Sequence, residues 1–172
     1  MIRKQPWFER RFPNGLPPAM LPLVLERLRG TPARLLDRVR GLTPDTLTRR
    51  FDETWSIQEN VGHLLDLEPL WLQRADELLV KRPTLAAADL QNRRTHEAQH
   101  NTASLPALLD GFRTARGALV ARLEDAGEAA ASHPAVHPRL GVLMNLVDHA
   151  FFVAEHDDYH LARMTELLRA SS

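Results

Sequence analysis

One histidine pair carries the clearest chemistry in this sequence. His156 and His160 lie four residues apart in an apolar C-terminal stretch, and His63 lies far upstream. Imidazoles four apart on a helix stand one turn above each other and can bind one metal ion. A third histidine from another helix would complete a three-histidine site, whose open coordination position accepts water or substrate. The spacing therefore predicts a metal centre, but it does not identify a substrate.

Two other histidine pairs have the same spacing. In the run HPAVHPR, a proline follows both His133 and His137, and proline disfavours helical backbone at the residue before it. We therefore do not expect these two side chains to stack over one ion. A bond to backbone or a capping role is expected for His137 instead.

The third pair, His96 and His100, lies in HEAQH, which matches the zinc-peptidase pattern H-E-x-x-H with Glu97 as the base. Its flanks, QNRRT and NTASLP, have no apolar stripe that would bury such a helix. The longer motif also fails, because Ala103 and Pro106 stand where it requires glycine and histidine. A solvated surface helix is the simpler interpretation, and a zinc peptidase is the alternative.

The composition argues against several classes of protein. Lys+Arg and Asp+Glu both total 22 in 172 residues, so no excess of charge predicts nucleic acid or a membrane surface as a partner. No apolar run reaches the roughly 18 residues of a membrane span, and the charged N-terminus lacks the apolar segment of a secretory signal. Because there is no cysteine, any metal must be held by His, Asp or Glu. We expect a cytoplasmic protein with a small-molecule substrate.

Hydrophobic periodicity predicts one all-α domain over residues 1–172, a four-helix bundle that follows an irregular N-terminal arm over residues 1–17. A short polar helix is expected within 84–103, and strand signals are nearly absent. The four long helices are predicted at about residues 18–40, 54–81, 104–125 and 139–169.

Local signals mark two of these helices. Ser56 and Glu59 have capping-box spacing at the start of the second helix. In the first helix the run Gly-Thr-Pro at 30–32 predicts a kink or a short break, with Thr31 as N-cap and Pro32 as the first helical residue.

The predicted helices turn the candidate ligands inward. His156 and His160 share a helical face with Val153 and Met164, and His63 lies on the apolar side of the second helix. A buried histidine needs a partner for each ring nitrogen. A shared metal ion would supply one, and hydrogen bonds between core side chains are the alternative.

Two further residues are candidates behind the ligands or in a substrate pocket. His149 lies two turns before His156, roughly 10.5 Å along the axis, which is too far to join the same ion. It is expected to line the pocket mouth or to be structural. Glu59, one turn before His63, is either a carboxylate behind that ligand or a cap.

Three segments resemble the DinB/YfiT superfamily, a damage-inducible family of four-helix bundles: WSIQENVGHLLDLEPLW (55–71), HPRLG (137–141) and DHAFFVAEHDDYHLARM (148–164). The resemblance implies an up-down-down-up bundle and one divalent ion, usually nickel or zinc, bound by His63, His156 and His160. Many members carry a histidine where this sequence has Tyr159. That residue is expected on the polar side of its helix, and it is a third candidate for the groups behind the ligands or for the substrate pocket.

The resemblance implies several classes of function. Characterised members include transferases and isomerases that use low-molecular-weight thiols (mycothiol, bacillithiol or glutathione), others are described as metal-dependent hydrolases, and the bundles commonly dimerise. Our leading hypothesis is a metalloenzyme that activates water or a thiol. The alternative is a non-catalytic, stress-linked metal-binding bundle, which a closed pocket or a fourth protein ligand would favour.

Overall fold

The computed structural model describes residues 4–171, and four long helices form its frame: α1 (Leu21–Val39), α3 (Ile57–Leu79), α5 (Leu105–Glu124) and α7 (Leu146–Ser171). The connections contain shorter helices, α2 (Pro44–Thr48), α4 (Arg93–Glu97) and α6 (Glu128–Ala131). They also contain 3-10 turns at Trp7–Glu9, Pro18–Met20 and His100–Thr102. Two short strands, β1 (Ala135–Val136) and β2 (Leu143–Met144), pair antiparallel with Ala135 opposite Met144.

Contacts between helices give the topology. Helix α7 runs parallel to α1, since Arg27 and Arg38 bond to Asp158 and Thr165, and antiparallel to α3. Helices α3 and α5 are parallel, joined by Glu68 to Arg116 and by Asp76 to Arg122. Each of α1 and α3 packs against both α5 and α7. The predicted up-down-down-up four-helix bundle is confirmed.

A polar layer divides the apolar core into two clusters. One cluster includes Leu28, Trp71 and Leu119, and the other includes Leu35, Leu64 and Phe112. Between them lie buried polar side chains from all four long helices: Thr31, His63, Glu68, Arg116, His156, Asp157 and His160. Burial of so many polar groups is costly unless each one finds a partner.

On one side of this layer a single arginine serves two carboxylates. The Arg116 guanidinium is 1% exposed and donates to Glu68 at 2.6 Å and to Asp157 at 2.5 Å. Thr31 also donates to Asp157, at 2.8 Å. Burial raises the pKa of Glu68 to about 7, although the charge of Arg116 opposes this shift. The group fixes the packing of α1, α3, α5 and α7 around one cation.

The expected break at residues 30–32 is wrong. Helix α1 continues through Pro32, and Thr31 is fully buried inside the helix and does not cap it. The Thr31 hydroxyl lies 3.1 Å from the Arg27 carbonyl. Tertiary contacts, including the one to Asp157, override the local preference for a break.

The fourth long helix begins later than predicted, at Leu146 and not near residue 139. Residues 137–141 form a turn in which Gly141 has φ +66°, a conformation that glycine adopts without strain. Asn145 and Asp148 then cap the helix, since each side chain accepts the other's backbone N–H, at 2.9 and 3.0 Å. An Asn–Asp pair replaces the usual Ser/Thr–Glu capping box.

The arm lies across the bundle, and its described part covers residues 4–17. Asp148 accepts the backbone N–H groups of Gly15 and Leu16 at 2.8 and 2.9 Å, and Arg10 pairs with Glu155. Trp7 packs edge-on against Phe152 of α7. The arm is thus anchored by α7 at both of its ends. None of the helices within residues 4–171 has the length and apolarity needed to cross a bilayer.

We expect Arg116→Met to lower the free energy of unfolding by about 3–5 kcal/mol, because it leaves two buried carboxylates without their cation. Urea unfolding measures this change. Arg113→Met is the matched control: Arg113 is 70% exposed and pairs only with Asp110, so its effect should stay within about 0.5 kcal/mol. Equal effects of the two substitutions would contradict a central role for Arg116.

Candidate metal centre

The other side of the polar layer brings three histidines together. His63 comes from α3, and His156 and His160 come from successive turns of α7. One ring nitrogen from each lies within 4.8 Å of the others. The three side chains are 3%, 5% and 7% exposed. Within residues 4–171 they are the one group of three or more His, Asp or Glu side chains close enough to share an ion.

A hydrogen bond fixes the tautomer of His160. Its Nδ1 lies 2.8 Å from Oδ1 of Asn60, and the Asn60 amide nitrogen donates to the carbonyls of Ser56 and Trp55 at 2.7 and 3.3 Å. Because the amide nitrogen is committed to those carbonyls, Oδ1 must accept from His160 Nδ1–H. The lone pair of His160 is therefore on Nε2.

Two successive hydrogen bonds, through Thr95 and Asp66, fix the tautomer of His63. The Thr95 hydroxyl donates to Asp66 at 2.9 Å, so it accepts from His63 Nδ1–H at 3.0 Å. His100 donates to the same Asp66 oxygen at 2.8 Å. His63 thus also keeps its lone pair on Nε2, a pattern typical of metal-binding histidines.

Gly62 makes room for this chain of bonds. A Cβ atom at Gly62 would lie 2.2 Å from Cγ of His100, so only glycine lets the His100 ring pack against α3. From that position the ring reaches Asp66. The glycine inside α3 is therefore explained by a close approach and not by a turn.

His156 has a different environment. Its Nδ1 is buried and has no hydrogen-bond partner among the residues that the structure describes. The indole rings of Trp7 and Trp71 pack against its ring, with centroids at 5.1 and 5.6 Å. A buried nitrogen without a partner is unusual in a native protein, and a ligand held in the site would resolve it.

The three imidazoles are neutral. Burial lowers the pKa of His63 to about 4, even though the charge of Asp66 opposes the shift. Burial and the neighbouring histidines lower the pKa values of His156 and His160 well below 6.5. Metal ligands must be deprotonated, and these rings already are at neutral pH. The donor set fits zinc or nickel, which imidazole binds well.

The three histidines form one wall of a cavity of about 290 Å³. The arm contributes Pro6, Trp7 and Phe8, and the 80–104 connection contributes Ala88, Asp89, Leu90 and Asn92. The remaining walls are largely aromatic and basic: Trp55, Leu67, Trp71, Arg74, His137, Arg139, Phe152 and Tyr159. A larger groove of about 570 Å³ lies between α1 and α5, but none of the histidines lines it.

Of the other candidate residues, one lines the cavity and two lie outside it. Tyr159 lines the cavity beneath Lys4, whose Nζ lies 3.7 Å from the ring centroid, so the expected polar-side position is wrong. His149 is fully buried, bonds to the Trp71 carbonyl at 2.9 Å and does not line the cavity. Glu59 caps α3 and pairs with Arg50, and it also lies outside the cavity.

The remaining histidine pairs do not form chelating sites. Helix α4 ends at Glu97, and Gln99 has a positive φ of 50°, so His96 and His100 do not stack on one helix. His96 is exposed, whereas His100 is buried against Asp66. The zinc-peptidase hypothesis is therefore wrong. His137 bonds to backbone and to Arg74, as the expected non-chelating role allows.

Sequence reasoning missed the residues that orient the ligands. Asn60 lies three residues before His63 on the same helix, a spacing that puts it near the site, although the ligand that it orients is His160 of α7. Thr95 carried no comparable signal, because it reaches His63 from a connection 32 residues away. The arginines of the cavity wall, Arg74 and Arg139, were likewise indistinguishable from surface arginines.

Comparisons with known proteins agree with this geometry. A sequence profile described as the DinB superfamily matches residues 27–164. The fold is similar to that of YfiT from Bacillus subtilis, described as a probable metal-dependent hydrolase with an unusual four-helix bundle topology. The TM-score is 0.83 at 21% identity, over 95% of this chain and 94% of that one.

A mycothiol-dependent maleylpyruvate isomerase is similar with a TM-score of 0.66 at 13% identity. The alignment covers 83% of this chain and 59% of the isomerase. A sequence search among curated proteins finds no significant match. At these identities the likeness to solved structures shows the fold alone.

The neutral state of His63 predicts how stability depends on pH in protein treated with a chelator. The unfolded histidine binds a proton near pH 6.5, whereas the folded one does so only near pH 4. Its contribution is therefore complete above pH 6.5 and is lost as the pH falls toward 4. Between pH 6 and 5, the unfolding free energy of the unsubstituted protein should rise with pH. His63→Gln should reduce the slope of that rise by about 1.4 kcal/mol per pH unit. Urea unfolding at several pH values measures the slope, and an unchanged slope would mean that His63 has the same pKa in the folded and the unfolded protein.

Proposed function

The chain belongs to the DinB superfamily, and we propose that it is a divalent-metal-dependent enzyme that acts on a small molecule. The observation that carries the proposal is the convergence of three neutral imidazoles at the wall of a cavity of about 290 Å³. The reaction is a hydrolysis or a transfer that uses a low-molecular-weight thiol. The descriptions of the two similar structures, a probable metal-dependent hydrolase and a mycothiol-dependent isomerase, support both versions.

In this proposal His63, His156 and His160 hold a zinc or nickel ion. Such an ion supplies Lewis-acid chemistry: it lowers the pKa of a nucleophile, water or thiol, at its open coordination position. Asn60 and Thr95 accept the two Nδ1–H groups, so the Nε2 lone pairs of His160 and His63 would be free to bind such an ion. Asp66 accepts a hydrogen bond from the Thr95 hydroxyl, which keeps the hydroxyl oxygen turned toward His63.

The cavity walls cover the site but supply no free carboxylate. Trp7 and Phe8 of the arm, with Trp55, cover the site and limit the access of water, which strengthens electrostatic interactions inside it. The acidic side chain of the lining, Asp89, already accepts two backbone N–H groups and pairs with Arg93. Asp89 is therefore not free to act as a base.

The non-catalytic alternative receives less support. It predicts a fourth protein ligand or a site filled by side chains. No fourth His, Asp or Glu of residues 4–171 joins the group of three. The cavity of about 290 Å³ next to the histidines is large enough for a small substrate.

Metal binding tests the ligand assignment. We expect purified protein to bind one zinc or nickel ion per chain, and His63→Ala, His156→Ala or His160→Ala to abolish tight binding. Asn60→Ala and Thr95→Val should weaken binding about 10–100-fold, because each removes the acceptor that orients a ligand. Titration against a chromophoric chelator measures the affinities. His133→Ala and Thr102→Val, at an exposed threonine, are matched controls. A loss of metal affinity in either control that exceeds the loss in Asn60→Ala or Thr95→Val would contradict the assignment.

Activity tests the reaction class. Metal-loaded protein is assayed with mycothiol, bacillithiol and glutathione against the electrophile 1-chloro-2,4-dinitrobenzene, and without thiol against p-nitrophenyl acetate. We expect turnover in one of the two assays, lost on chelation and reduced at least 100-fold in His156→Ala. Turnover that survives both changes, or none with any of these substrates, would contradict the proposal of a metalloenzyme.

A further inference from the structure

The cavity has a second polar region, opposite in character to the histidines. Arg74, Arg139 and His137 all line it. Arg74 is 1% exposed; its Nε donates to the Ala86 carbonyl at 2.8 Å, and its Nη1 lies 3.1 Å from Nε2 of His137. Both of these partners are neutral. Arg139 sits over the rings of Phe8 and Phe152, with centroids at 5.3 and 5.9 Å.

Neither guanidinium has a carboxylate partner. Within residues 4–171, no acid lies within 4.0 Å of Arg74 or Arg139. Glu77 is the nearest acid that acts on Arg74, and it accepts the Ala86 N–H and the Gln73 amide instead. Asp89 is held by Arg93. Two cations therefore share an aromatic cavity whose lining acid, Asp89, is committed to another arginine, which is costly in a native protein.

Several buried nitrogens of the cavity walls also lack a hydrogen-bond partner among the described residues. In the described chain, four buried side-chain nitrogens have no hydrogen-bond partner, and three of them belong to residues that line this cavity. Two of these three, Arg139 Nη2 and Trp71 Nε1, can only donate. The group that satisfies them must therefore bring acceptor oxygens.

Electrostatics agrees with this geometry. Burial lowers the pKa of Arg74 to about 10; the charge of Glu77 opposes this shift, and the charge of Arg139 adds to it because the two cations repel each other. An anion between them would remove this repulsion. Arginine is the side chain best suited to bind a planar oxyanion with two parallel hydrogen bonds.

We propose that Arg74 and Arg139 form an oxyanion-binding subsite, so that the substrate is a small molecule with an apolar body and a carboxylate or phosphate group. The inference rests on the proposed function, because it assigns the substrate class of the same cavity. The anionic group binds at the arginines, the apolar body lies against Trp71 and Phe152, which both line the cavity, and the reactive group faces the three histidines.

Intrinsic fluorescence tests the subsite, because all three tryptophans of the chain line the cavity. The probes are benzoate, its uncharged counterpart benzamide, and phenyl phosphate, each titrated into the full chain before and after chelation. Chelated protein excludes binding of the carboxylate to a metal ion. We expect benzoate or phenyl phosphate to bind at least tenfold more tightly than benzamide in both states, and the tighter of the two identifies the anion.

Arg139→Met should abolish this preference while the affinity for benzamide stays unchanged. Arg139→Lys, which keeps the charge but not the planar fork, should retain an intermediate preference and serves if the methionine variant fails to fold. Arg113→Met, on the exposed face of α5, is the control and should behave as the unsubstituted protein. An anion preference that survives Arg139→Met, or the absence of any preference in the unsubstituted protein, would overturn the subsite.

Metal content separates the two proposals. Arg139→Met should bind metal as the unsubstituted protein does. If metal binds but benzamide is preferred, the subsite fails alone. If an Arg139-dependent anion preference appears in a protein that binds no metal, the proposed function fails and the subsite stands.

Discussion

Three imidazoles can be buried side by side in this bundle only as neutral groups with their protons directed away from one another. A charged imidazole in the apolar interior would be strongly destabilised. Asn60 and the Thr95–Asp66 pair each accept one Nδ1–H. The lone pairs of His63 and His160 then face a common point with His156. The metal centre is thus a consequence of hydrogen bonds that come from α3 and from the connection after it.

The rest of the fold accommodates this polar layer. Arg116 neutralises the carboxylates on the other side of the layer, where Asp157 directly follows the ligand His156. Asp148 caps α7 and also holds the arm, so the start of the helix that carries two ligands is tied to the cover of the cavity. Helix α7 therefore carries two of the three histidines, one carboxylate partner of Arg116 and the residue that holds the arm.

Much of the fold followed from the sequence because its signals are local. The apolar period, the Ser56–Glu59 capping box and the spacing of His156 and His160 all act within a few residues. Long-range contacts decided the remainder. The bond of Thr31 to Asp157 keeps α1 continuous through Pro32, and the arm places Tyr159 at the cavity. No local pattern shows either contact, or distinguishes Arg74 and Arg139 from surface arginines.

Anomalous diffraction from crystals of zinc-loaded protein, recorded at the zinc edge, would show directly whether the three histidines bind one ion. We expect one strong peak, with a ring nitrogen of each of His63, His156 and His160 about 2.0–2.1 Å away. A peak at His96 or His133, or no ordered zinc near the three imidazoles, would contradict it.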